Sequence, residues 1–145
     1  MGIRRKAREA ALQFLFQEEF KPEEDRVTEA PREHFESFCS LYQVDKRARA
    51  YALELVAGTL ARRTEIDALI VDGASNWRLS RLSATDRNIL RISVWEMLAE
   101  NEVPDQVVIN EGVEVAKRFG AEDSPSFING VLDAVKKALE VKDQR

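Results

Sequence analysis

Apolar residues recur three or four positions apart along most of the chain, a spacing that places them on one side of an α-helix. Short polar stretches with proline or glycine separate these periodic segments, as loops between helices do. Evidence for strands is thin, because the β-branched run Gln106–Ile109 continues with helical spacing. The pattern predicts an all-α helical bundle of about six to seven helices. Its segments are Ile3 to Phe20, Pro31 to about Tyr42, a helix capped by Asp45 that carries Tyr51 to Leu60, a stretch from Ile66 to Ile70 that continues it or follows a break near Thr64, a helix from Ser83 that ends before Pro104, Asp105 to Phe119, and Ser124 to about Leu139.

The helix that starts at Ser83 is apolar around most of its circumference, from Ile89 to Leu98. A helix of this kind usually lies at the centre of a bundle. Ser83 and Asp86 form a capping-box pattern with Asp in the usual place of Glu. We therefore expect one domain over residues 1–145, with an N-terminal half of about 1–80 and a C-terminal half of about 81–145 sharing a core.

The charge distribution is uneven. The chain has 22 Lys and Arg against 26 Asp and Glu, a net charge of −4, which excludes a uniformly basic nucleic-acid-binding protein. However, four cations precede the first acid, Glu9: they are Arg4, Arg5, Lys6 and Arg8. The remaining 18 cations against 26 acids give −8. A basic start on an acidic body indicates an anionic partner.

Nothing in the residue pattern points to export or to catalysis. The single cysteine, Cys39, cannot form an intramolecular disulfide, and the N-terminal segment lacks the apolar stretch of a signal peptide. No segment has the roughly 18 unbroken apolar residues of a membrane span, so we expect a cytoplasmic protein. His34 and Cys39 lie roughly 140° apart around a helix and form no dyad. We predict no enzymatic activity, no bound metal and no cofactor.

The first helix allows two interpretations of Leu12 and Phe16. Both lie outside the main packing face and line up with Arg5, Arg8 and Glu9. An apolar pair below a cluster of arginines can hold an unstacked base while the cations hold its phosphates. Alternatively, the pair packs under a second neighbouring helix. Periodicity alone favours packing.

The segment from Phe119 to Phe127 joins the last two helices and places a phenylalanine at each of its ends. The amide groups at the start of a helix attract anions, although the acids in this turn oppose a phosphate. The residues alone favour a capping turn with a hydrophobic clasp. Trp77 and Trp95 are most simply core or interface residues. Six further arginines are scattered cations, each of the kind that usually lies on the surface and balances nearby acids: Arg62, Arg63, Arg78, Arg81, Arg87 and Arg91.

Taken together, motifs that span nearly the whole chain resemble the NusB family of transcription antitermination proteins. They occur in the order of the family and are highly specific as a set. They are the basic opening Arg4–Phe16, then Thr85–Ile92, Val103–Pro104 and Val108–Glu111, and most strongly Ala116–Ser124 with Phe127–Leu132. The acidic loop Lys21–Pro31 matches no reliable family pattern.

The resemblance implies a fold of two three-helix sub-bundles, no enzymatic activity, and binding of single-stranded boxA-type RNA. It also implies partnership with the small-subunit ribosomal protein NusE in RNA polymerase antitermination complexes, notably on ribosomal RNA operons. The NusE-facing surface maps around Asp86. Arg87 and Arg91 share a helix face next to it, and they either face the same partner or are solvated surface charges. The implied RNA contacts are Arg4, Arg5, Lys6, Arg8, Phe16, Phe119, Asp123 and Phe127.

Two departures and two competing functions accompany this resemblance. Phe16 stands where relatives often have Tyr, which keeps stacking but loses a hydroxyl hydrogen bond. The segment Gly73–Ser83 does not align easily, so no partner contact is assigned there.

The same domain begins RNA cytosine methyltransferases, which would need a further α/β domain beyond Arg145. A helical interaction module without RNA would explain the acidic body but not the basic start. Family members occur as monomers and as homodimers, so a homodimer is possible.

Overall fold

The computed structural model describes residues 2–29, 31–75, 77–99 and 103–143. Within this part of the chain there are seven α-helices and three single 3-10 turns, and no strand. The 3-10 turns are Glu23–Asp25, Lys46–Ala48 and Leu79–Arg81. The helices are α1 (Ile3–Glu19), α2 (Arg32–Leu41), α3 (Arg49–Ala61), α4 (Arg63–Gly73), α5 (Ala84–Leu98), α6 (Asp105–Phe119) and α7 (Ser124–Asp143). The predicted all-α class is confirmed.

Local sequence signals explain several of the helix ends. The Ser83 hydroxyl accepts a hydrogen bond from the Asp86 amide at 3.1 Å, so Ser83 caps α5 as predicted. The Asp45 carboxylate accepts from the Arg47 amide, but it caps the 3-10 turn that leads into α3 rather than α3 itself. The chain breaks at Arg62 instead of continuing from α3 into α4. Ser124 is already helical, and its hydroxyl accepts from the Ala121 amide at 2.9 Å, so it closes the turn before α7.

Helix α5 is central, as its apolar circumference predicts. It packs against α1, α3, α4, α6 and α7, and Leu90 and Val94 on it are completely buried. The α4 helix precedes the expected boundary near residue 80, but it packs mainly on α5 and α7. The two halves of the chain are thus joined by one continuous core.

Glycine allows α3 and α5 to approach closely. A Cβ atom on Gly58 would lie 2.0 Å from the indole of Trp95, which is far inside van der Waals contact. Trp95 therefore packs in the contact between α3 and α5, which agrees with the first of its two predicted roles, a core residue or an interface residue. No helix in the described ranges is both long and apolar enough to cross a membrane.

Candidate nucleic-acid interface

The basic start of the chain forms the first turns of α1, and acids pair with most of its cations. Arg5 donates two hydrogen bonds to the carboxylate of Glu111 on α6, at 3.0 and 2.6 Å. Lys6 donates to Asp45 at 3.2 Å. Arg4 is exposed, and its guanidinium lies over the ring of Tyr51, 4.8 Å from the centroid. Arg4 is therefore the most accessible of these cations, while an anion must compete with Glu111 for Arg5.

Arg8 belongs to the core. Its side chain is 6% exposed, and it donates to both carboxylate oxygens of Glu96 on α5, at 2.7 and 2.9 Å. The Tyr51 hydroxyl donates to the same carboxylate at 2.6 Å, and a third nitrogen of Arg8 reaches Glu111 at 3.3 Å. Burial disfavours the Arg8 cation, but the hydrogen bonds and charge of Glu96 outweigh it and raise the arginine's pKa. This arrangement fixes the basic start on the bundle and leaves Arg8 itself little access to a phosphate.

The structure separates the two apolar residues that line up below the arginines. Leu12 is 3% exposed and borders a small gap with Ile89 and Val115, so it packs between helices. Phe16 remains partly exposed, and its ring lies 4.9 Å from that of Phe20 at the end of α1. Of this pair, Phe16 alone is accessible from solvent.

Arg118, at the end of α6, lies in the same region and is a residue that the sequence alone did not single out. Its guanidinium donates to the Glu9 carboxylate at 3.0 Å and lies 5.3 Å from the ring centroid of Phe119. The Glu9–Arg118 and Arg5–Glu111 ion pairs connect α1 to α6. We call the surface along these two ion pairs the α1–α6 seam. The sequence did contain one signal for Arg118, because this cation directly precedes the aromatic residue Phe119.

The turn after Phe119 is compact because Gly120 allows it to be. A Cβ atom on Gly120 would lie 2.6 Å from the Cβ of Ser124 and 2.9 Å from a backbone oxygen of α6. Asp123 in this turn is exposed, and Phe127 on the first turns of α7 is half-buried. Its ring meets that of Trp77 edge to face, with the centroids 6.1 Å apart. Trp77 is 55% exposed and is not a core residue.

Asp86 lies beside this turn. One of its carboxylate oxygens is buried without a hydrogen-bond partner in the described ranges. Burial raises the pKa of Asp86, the nearby Ser124 hydroxyl lowers it, and the Asp123 carboxylate raises it, so that the net shift is upward. The candidate partner contact thus neighbours the candidate RNA contact Asp123.

Arg87 and Arg91 are not free charges on the helix surface. Arg87 donates two hydrogen bonds to Glu19 at 3.0 and 2.9 Å and also binds the Leu82 carbonyl. Arg91 is 4% exposed and bridges Glu19 and Asp67. Burial raises the pKa of Glu19, but both arginines together hold it below its ordinary value. These two arginines join α5 to α1 and α4 within the chain.

Comparison with known proteins agrees with the arrangement of helices and motifs. The model of the NusB family matches residues 5–137, which is most of the chain. The chain belongs to the NusB family. Two curated relatives, both transcription antitermination proteins NusB, are similar over nearly their whole length. The one from Desulfotalea psychrophila is 57% identical, covering 94% of this chain and 96% of the relative. The one from Geobacter sulfurreducens is 39% identical, covering 98% and 99%.

Solved structures of the NusB family have the same fold. T. maritima NusB is 36% identical, with a TM-score of 0.76 over 92% of this chain and 90% of that one. A chain in a crystal structure of the antitermination factors NusB and NusE with double-stranded RNA is 29% identical. Its TM-score is 0.78 over 95% of this chain and 98% of that one.

Proposed function

We propose that this protein binds boxA-type RNA together with the ribosomal protein NusE, and that the resulting complex on RNA polymerase suppresses termination. The observation that carries the proposal is the α1–α6 seam with the adjoining turn. There, accessible cations at the start of α1 and at Arg118 accompany the partly exposed rings of Phe16, Phe119 and Phe127. Cations that hold phosphates beside rings that stack on bases are the usual means of binding single-stranded nucleic acid.

Within this proposal, the residues have different roles. Arg4, Arg5, Lys6 and Arg118 hold phosphates, and Asp123 accepts hydrogen bonds from base edges. Arg8 positions the basic start through Glu96 rather than touching RNA. Asp86 contacts a cation of NusE, because a partner that supplies a positive charge offsets the cost of burying its carboxylate.

The negative net charge of the chain explains why a second protein is needed for tight RNA binding. The net charge of −4 gives poor long-range attraction to RNA. Glu111 and Asp45 also compete for two of the cations at the start of α1. Joint occupancy with NusE raises the affinity because the two proteins each contribute contacts to one RNA. The protein acts in the cytoplasm as a binding factor and does not itself catalyse a reaction.

The test is a titration of fluorescein-labelled boxA RNA followed by anisotropy, with and without NusE. A scrambled RNA of equal length and a double-stranded boxA RNA serve as controls. We expect tighter binding of single-stranded boxA than of either control, and at least a tenfold gain in affinity from NusE. Equal affinities for all three RNAs, with no effect of NusE, would contradict the proposal.

A further inference from the structure

The segment between α4 and α5 is basic and aromatic in an acidic protein. From Gly73 to Thr85 the chain contains no acid, but it contains Trp77, Arg78 and Arg81. All three of these residues are exposed. An exposed tryptophan is unusual on a surface that has no contact to make, because burying its large ring is strongly favourable. We call residues 77–81 the tryptophan segment.

The two arginines of this segment differ from Arg5 and Arg8 at the start of α1. Neither the Arg78 nor the Arg81 guanidinium forms an ion pair or a hydrogen bond with any described residue. In contrast, acids hold Arg5 and Arg8. Arg78 precedes the 3-10 turn Leu79–Arg81, and the Arg81 amide donates to the Arg78 carbonyl at 2.9 Å, so the two arginines are held close together in space. Two cations without internal partners bind a phosphate without first breaking an ion pair.

The contact between Trp77 and Phe127 joins this segment to the candidate interface. Their edge-to-face rings, 6.1 Å apart, leave more than half of the tryptophan exposed beside the turn that carries Asp123. A base that leaves the Phe127 ring therefore meets a second aromatic surface immediately. Aromatic rings interleaved with uncompensated arginines favour RNA over a protein partner as the occupant.

We propose that the tryptophan segment is a second RNA-contacting element, in which Trp77 stacks on a base and Arg78 and Arg81 hold the adjoining phosphates. This inference rests on the proposed function, since it extends the RNA path from Phe127 across the start of α5. It assigns a ligand-binding role to the connection between α4 and α5.

Tryptophan fluorescence tests the stacking directly. The chain has two tryptophans, so Trp95→Phe leaves Trp77 as the only one. We expect boxA RNA, in the presence of NusE, to quench Trp77 emission in proportion to the bound fraction, whereas NusE alone leaves it unchanged. If Trp95→Phe does not fold, the same signal is obtained as the difference between the wild type and Trp77→Phe.

Affinity measurements test the energetic contribution. Trp77→Ala should weaken RNA binding about five- to one-hundred-fold, Trp77→Phe should weaken it less, and Tyr42→Ala, at an exposed aromatic residue after α2, should not weaken it. Replacing Arg78 and Arg81 by Gln should lower the salt slope of binding by about 1.4, or 0.7 for each phosphate contact. The pair Arg32→Gln and Lys137→Gln removes the same charge from exposed positions and should leave the slope unchanged.

The outcomes separate this inference from the proposed function. Normal RNA binding with unchanged Trp77 emission and full affinity of Trp77→Ala would overturn the inference and leave the function standing. Quenching by NusE alone would assign the segment to the protein partner and also overturn it. Failure of the wild type to bind boxA RNA with NusE would overturn both.

Discussion

Arg8 and Glu96 form a doubly hydrogen-bonded ion pair inside the bundle, although 88 positions separate them in the sequence. The Glu96 side chain is 1% exposed, and Tyr51 from α3 donates to the same carboxylate. The pair therefore joins α1, α3 and α5 directly below the basic start of the chain. The sequence groups Arg8 with Arg4, Arg5 and Lys6, but in the structure Arg8 stabilises the core.

Replacing Arg8 by Ala should destabilise the protein by about 3–5 kcal/mol, because it leaves the Glu96 carboxylate buried without its counter-charge. Arg4→Ala is the matched control and should cost about 1 kcal/mol or less, since it removes only an exposed cation–π contact. Urea unfolding followed by circular dichroism measures both. A stable Arg8→Ala protein with lost RNA binding would return Arg8 to the RNA contacts.

Replacing Glu111 by Gln should tighten RNA binding about three- to tenfold. The Arg5 hydrogen bonds lower the pKa of Glu111, against a smaller opposing effect of burial, so the carboxylate is ionised at neutral pH and competes with phosphate for Arg5. Glu114→Gln removes the same charge from a partly exposed acid of α6 that pairs with Lys117, and it should have a smaller effect. Weaker binding by a folded Glu111→Gln variant would show instead that Glu111 positions Arg5 for RNA.

Phe127→Ala should lose about 1–3 kcal/mol of RNA binding, and it should lose less stability than replacement of a fully buried phenylalanine, because its half-buried ring packs only partly against the core. Phe119→Ala should show both effects, because its ring packs against the core as well as facing Arg118. The buried Phe35 is the control, and its replacement by Ala should cost about 3–5 kcal/mol of stability. Thermal melts beside RNA titrations distinguish the roles, and a strongly destabilised Phe127→Ala would make Phe127 a core residue.

The sequence pattern located the helices because periodicity and caps are local properties. The Asp105–Phe119 helix and the Ser83 cap follow from residues within a few positions of one another. Periodicity also places Leu12 beside Arg8 on one side of α1, but it does not show what covers that side. Glu96 and Ile89, which cover it, lie on α5, more than 70 residues later.

The same limit explains the residues that sequence reasoning missed. Arg78 and Arg81 resemble Arg87 and Arg91 in the sequence, since all four are arginines between positions 78 and 91. Only the fold shows that Glu19 and Asp67 hold the second pair and that no described acid holds the first. The importance of Trp77 depends on Phe127, 50 positions away.

Asp86 combines a cost in folding with a proposed benefit in binding. Its pKa in the folded protein is raised above the ordinary value of 3.8, so the folded state holds the proton more tightly than the unfolded state does. Stability therefore falls as the pH rises from the ordinary value through the raised one, and at pH 7 the ionised carboxylate is unfavourable. Asp86→Asn should accordingly be more stable than the wild type at pH 7, and this advantage should vanish below about pH 3.8. Unfolding by urea over a pH series measures it.

Replacing Asp86 should have the opposite effect on NusE binding: a substitution that stabilises the fold should weaken the complex. If Asp86 faces a cation of NusE, Asp86→Asn should weaken the complex about tenfold, although it stabilises the fold. Asp86→Lys should weaken it further and most strongly at low salt, because like charges then face each other without screening. Asp133→Asn, at a partly exposed acid of α7, is the control for general loss of negative charge. Full-strength NusE binding by Asp86→Lys at low salt would place the interface elsewhere. Asp86 would then remain a helix-start residue whose buried oxygen only lowers stability.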